Sequence, residues 1–169
     1  MKLFEIACFT TLAASTSLLA SAAQNDDSFS GSCKPGPVQS VDAGDRPNHT
    51  YVVATAKCTL SGKIGGAMAR QGAVAEHGEI TPTRIKTSGI HALTMDGGDM
   101  VFLRYDNSVV MQDGAFKSGK ITYRVIRGTG KMEGLKGAGT CAWIGDGDSF
   151  SCKGSTSTDH QPYRTSAPK

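Results

Sequence analysis

The sequence predicts an all-β domain, an antiparallel sandwich or barrel. Three observations carry that prediction. Apolar and polar residues alternate with period two through most of the middle of the chain, as half-buried strands require. Turn-forming pairs punctuate the alternation at short intervals. No segment shows a 3.6-residue amphipathic period; the Ala-rich piece 65–75 comes nearest, and Gly65, Gly66 and Gly72 argue against a helix there.

Taken in order, residues 1–22 read as a secretory signal peptide. Lys2 supplies a short basic start, residues 6–20 are mostly apolar or small, and Ala20-Ser21-Ala22 fits a small-x-small cleavage site. The apolar run is too short and too polar to span a bilayer, which needs about 20 apolar residues. Residues 23–32 are polar and small and are expected to be a flexible leader. Residues 34–48 carry three prolines and two glycines and read as a long loop pinned by Cys33. Asn48-His49-Thr50 is an N-glycosylation sequon, relevant only in a eukaryotic host.

The domain itself is expected over residues 33–154. In 51–60, Val52, Ala54, Ala56, Cys58 and Leu60 fall on one face, with Thr55, Lys57 and Thr59 on the other. Strands are also expected over 73–81, 87–95, 99–105 and 121–127. Turns are expected at Ser61-Gly62, at 96–99, at 106–108 and at Asp113-Gly114. Residues 155–169, rich in Ser, Thr and Pro, read as a disordered tail.

The segment 141–152 is the most specific local signal. Asp146-Gly147 at its centre suits a type I′ hairpin turn. A hairpin closed there opposes Trp143 to Phe150 and Cys141 to Cys152, close enough for a cross-strand disulfide. Without Cys8 of the signal peptide, Cys33, Cys58, Cys141 and Cys152 form an even set. They suggest two disulfides and an oxidising compartment, the periplasm or the extracellular space. Four cysteines allow three connectivities; the hairpin favours Cys141–Cys152 and so Cys33–Cys58. Zinc fits poorly, because no two cysteines lie at C-x₂₋₄-C spacing.

The net charge is only +3. With no long basic run and few aromatic residues, it gives no indication of nucleic-acid binding. No cofactor signature is present. The glycines of 127–141 do not match a dinucleotide fingerprint, since Gly128 begins G-x-G-x-x-x-G and no helix follows.

That stretch does resemble a known pattern. Gly128-Thr129-Gly130, Gly134, Gly137 and Gly139-Thr140 are similar to the glycine motif of barrels in the allene oxide cyclase and dirigent group, and of small exported bacterial proteins like them. There the motif links one strand, through a tight excursion, to the closing strand. The resemblance covers roughly residues 72–145. It implies a calycin-like barrel of about eight antiparallel strands, and it does not place that group's catalytic residues on this chain.

Four polar residues share a face with apolar neighbours and are the candidate ligand-binding set: Glu76 with Val74 and Ile80, His91 with Leu93 and Met95, Arg104 with Met100 and Phe102, and Tyr123 with Ile121 and Val125. A charge on an inner face is costly unless paired. Glu76 and Arg104 are therefore expected inside the barrel, within reach of each other or of one ligand. The opposite phase is open in 100–105, because Val101, Leu103 and Tyr105 are equally apolar. His77 and Glu79, at i and i+2, fit half a metal site but suit a solvated face better.

Three functions follow as expectations. The first is an exported binding or scaffold barrel without catalysis, holding a small apolar or amphipathic molecule. The second, implied by the resemblance, is a small cyclase-like or isomerase-like enzyme. The third is a secreted surface-interaction protein. A hollow interior favours the first two and a filled one the third.

Overall fold

A computed structural model describes residues 24–145 and 147–158. The expected signal peptide, the end of the tail and Asp146 lie outside the described residues. Eight antiparallel strands form a closed barrel in sequence order: β1 (Gln24–Asp42), β2 (Thr50–Ile64), β3 (Ala67–Thr81), β4 (Arg84–Met95), β5 (Met100–Gln112), β6 (Ala115–Gly128), β7 (Leu135–Ile144) and β8 (Ser149–Thr158). Closure comes from β1 pairing with β8, from Gln24 opposite Ser157 to Ser32 opposite Ser149. Closure in this way removes the free sheet edges over the paired stretches. The glycines of 65–75 do exclude a helix: Gly65 and Gly66 make the β2–β3 turn at φ 59° and 79°, a conformation costly for residues with a Cβ.

Four sequence expectations need correction. Residues 24–32 are the first half of β1, because Asp27 and Phe29 turn inward and are 3% exposed. The expected loop over 34–48 is strand as far as Asp42; Pro35 and Pro37 fall at a register shift between Pro35 and Val38, where a missing N–H is tolerated, and Pro47 lies in the loop that remains. Residues 155–158, expected to begin a disordered tail, are the end of β8, and Thr156 among them is buried and donates to Asp27 at 3.0 Å. Neither Ser61-Gly62 nor residues 106–108 form a turn. Gly62 sits at a register irregularity within β2, and β5 runs through Asn107, whose side chain is bonded on both sides. The turns at 96–99 and Asp113-Gly114 form as expected.

The ends of the barrel differ. At one end, called the floor, lie the β2–β3 and β4–β5 turns, the first residue of β1 and the last of β8. Here too the glycine-rich excursion leaves β6, makes a 3-10 turn at Gly130–Met132 and enters β7. Thr129 anchors it by accepting from the Met100 N–H at 2.8 Å, and Asp99 accepts from the Lys131 N–H at 3.2 Å. The excursion thus joins β6 to β7, and β8 is the closing strand. Met132, carried in by the excursion, and Leu135, the first residue of β7, pack with Ile64, Ala69, Leu93, Met95 and Val101, all nearly inaccessible. Each such aliphatic side chain contributes about 1.5–3 kcal/mol through burial.

At the other end, called the mouth, lie the 43–49 loop and the β3–β4, β5–β6 and β7–β8 turns. Disulfides Cys33–Cys58 and Cys141–Cys152 cross β1–β2 and β7–β8 respectively, joining directly opposed residues. Both expected pairings are present, as is Trp143 opposite Phe150. One ladder is short: β6 and β7 pair only from Lys120–Ala142 to Arg124–Ala138.

Candidate functional site

Between the floor and the mouth the inward side chains become small. Down β2 from the mouth they run Val52, Ala54, Ala56, Cys58, Leu60, with the two alanines in the half nearer the mouth. The space they leave is a cavity of about 490 Å³. That is within the range of small-molecule sites, and an eight-stranded barrel is wide enough inside for one small ligand. The wall is mainly apolar: Val52, Ala54, Ala56, Val74, Ile80, Ile85 and Ile121 from the strands, with Trp143 at one side. Phe29, His91, Tyr123 and Phe150 form its inner end. Phe150 is the hub of that cluster, meeting Phe29, His91 and Trp143 edge-on at 6.4, 6.3 and 5.8 Å between ring centres.

Three of the four predicted residues reach this cavity. Glu76, in the middle of β3, is partly buried on its wall. Its neighbours across the ladders are Ala54 and Gly89, so little side-chain bulk stands beside it. His91 and Tyr123 are buried, at 8% and 5% exposure. Arg104 does not reach it. It is exposed on the outer face of β5, opposite Ile90 and Arg124, and the expected Glu76–Arg104 pair does not form. In β5 the other phase is the inward one, with Val101, Leu103 and Tyr105 buried. Glu76 is therefore met by Tyr105, one residue further on, whose hydroxyl donates to Glu76 Oε2 at 2.7 Å.

Tyr105 is the residue the sequence reading missed, and Asn107 and Trp143 extend the network. The Trp143 indole N–H donates to Asn107 Oδ1 at 2.8 Å, and Asn107 Nδ2 donates to Thr87 Oγ1 at 3.2 Å. The indole crosses β6 to do so, over Gly119, where a Cβ would collide with its ring. The signal for Tyr105 was its phase with Val101 and Leu103. Nothing local in the sequence indicates that Trp143 reaches β5.

Two polar groups at the inner end lack partners. His91 Nε2 fills the space where a Cβ on Gly72 would stand. The Tyr123 hydroxyl fills the corresponding space at Gly139 and Gly154. Burial pushes His91 down to about 4, so the ring is neutral at pH 7. Burial, helped by nearby Asp27, pushes Tyr123 up to about 12. Burial and then Glu76 push Tyr105 up as well. Asp27 itself lies toward the floor, where its Oδ1 accepts from the Gly65 N–H at 2.9 Å and from Thr156. Burial raises it, and these two bonds oppose the rise.

Away from the cavity, His49 is buried in the 43–49 loop between Asp45 and Glu79. His77 is exposed. Among the described residues no cluster of three or more His, Cys, Asp and Glu side chains is arranged to hold a metal ion, and no helix is long and apolar enough to cross a membrane.

The fold has a solved counterpart. A crystal structure of a protein of unknown function from the DUF3224 family of Shewanella oneidensis MR-1 superposes with a TM-score of 0.50 at 16% identity, covering 82% of this chain and 98% of that one. At that identity the likeness concerns the fold alone. No family model and no curated protein matches the sequence.

Proposed function

We propose that this protein is an exported binding barrel, periplasmic or extracellular, that holds one small, largely apolar molecule in its mouth cavity without transforming it. The observation that carries this reading is the cavity of about 490 Å³, with its mainly aliphatic and aromatic wall. Two disulfides fit an oxidising, non-cytoplasmic compartment. A cavity in a stable barrel persists when the floor supplies the packing and the mouth need not.

Trp143 is the chain's one tryptophan and lines the cavity, so its emission reports occupancy. Titration with straight-chain alcohols should change Trp143 fluorescence saturably, with affinity rising along the series until the chain outgrows the space. An Ala54→Leu variant, which fills the wall, should weaken every member of the series. Failure of any alcohol to produce a saturable change would remove the reading.

A further inference from the structure

We infer that the mouth cavity selects a lipophilic amine, with the amine or ammonium head seated beside Glu76 and the apolar body among the aliphatic and aromatic side chains. This rests on the binding function proposed above and specifies its ligand class.

Charge is the first argument. The wall carries two acidic residues, Glu76 and Asp148, and among the described residues lining it there is no lysine or arginine. The nearest candidate cation by sequence, Arg104, is on the outside of the barrel. An anionic head would enter against like charge with nothing to offset its lost hydration.

Hydrogen-bond inventory is the second. Three donors around the cavity are already engaged: the Tyr105 hydroxyl with Glu76, the Trp143 indole with Asn107, and one N–H of the Asn107 amide with Thr87. The partnerless Tyr123 hydroxyl and His91 Nε2 are sunk into the glycine notches of the wall, away from the open space. Glu76 remains as an acceptor with capacity for more than the one bond it receives, since a carboxyl group offers two oxygens. A head that donates therefore finds its acceptor at Glu76.

Space and surroundings are the third. Glu76 lines the open cavity, with Ala54 as its small neighbour across the β2–β3 ladder. Tyr105 and Trp143 line the same cavity, and their ring faces attract a cation.

The test compares decylamine, decanol and decanoate, which share an apolar body, by Trp143 fluorescence and calorimetry on the wild-type protein and on Glu76→Gln. Decylamine should bind at least about tenfold more tightly than decanol, and decanoate most weakly, as expected for one charge-assisted bond. Glu76→Gln should remove the amine preference, bringing the ratio of decylamine to decanol affinity to about one, and the circular dichroism spectrum of the variant shows that it is folded. Equal affinities for the three, or a preference for decanoate, would overturn amine selectivity and leave the binding function standing. If none binds, both fall. The wild-type series decides the matter even if the variant does not fold.

Discussion

The floor and the mouth are built from the same eight strands with the same inward and outward alternation, yet one is solid and the other hollow. The difference lies in side-chain volume and in one insertion. Toward the floor the inward positions are Ile64, Leu93, Met95, Val101 and Leu135, and the β6–β7 excursion adds Met132 from outside the sheet. Toward the mouth they are Val52, Ala54, Ala56 and Val74, which line the cavity. A barrel of this size is neither inherently full nor inherently empty; residue size at alternate positions decides, half by half.

The largest test of that contrast is truncation at each end. Leu93→Ala at the floor should cost about 2–5 kcal/mol, because the closely packed surroundings relax only in part. Val74→Ala at the cavity wall should cost about 1 kcal/mol or less, since it enlarges a space already open. Urea midpoints of the two variants measure the difference, and equal losses would mean that the mouth is packed as tightly as the floor.

A second test uses the boundary between the halves. His91 is held near a pKa of 4, below its ordinary value of 6.5. Between those values the unfolded chain takes up a proton that the folded barrel refuses. The stability that neutral His91 confers is thus complete above about pH 6.5 and lost as the pH falls toward 4, by on the order of 3 kcal/mol. Asp27, raised by burial, acts in the opposite sense, losing stability as pH rises through its folded pKa. The wild type should therefore be compared with His91→Leu. The difference between their urea-derived stabilities should change with pH over this window, and a constant difference would place His91 in contact with water.

The smallest effect is expected at Tyr123. Its hydroxyl is buried without a partner, so Tyr123→Phe removes an unmet polar group and should be neutral or stabilising by about 1 kcal/mol. A thermal midpoint well below that of the wild type would reveal a partner for the hydroxyl.

How far the sequence made this legible depended on whether the pattern was local. The Cys141–Cys152 hairpin and the inward phases of β2, β3, β4 and β6 were readable, because a turn or an unambiguous alternation specifies each within a few residues. In β5 both phases are apolar, so Met100 and Phe102 compete with Val101, Leu103 and Tyr105. The error moved Arg104 inward and hid Tyr105. The start of β1 failed for a different reason. Phe29 is isolated among small polar residues, and its burial comes from β2 and β8, distant in sequence. The cavity was written in Ala54 and Ala56, but a small inward residue signals a void only once its opposite wall is known.

The short β6–β7 ladder has a consequence for motion. From Lys120 toward the mouth, β6 has no registered partner in β7, and the Trp143 ring lies across Gly119 at that point. Main-chain amides bordering this slit should exchange with deuterated solvent by local fluctuation, while those of the long β3–β4 ladder wait for larger openings. The barrel wall thus has a built-in side that breathes, and it lies next to the cavity's one tryptophan.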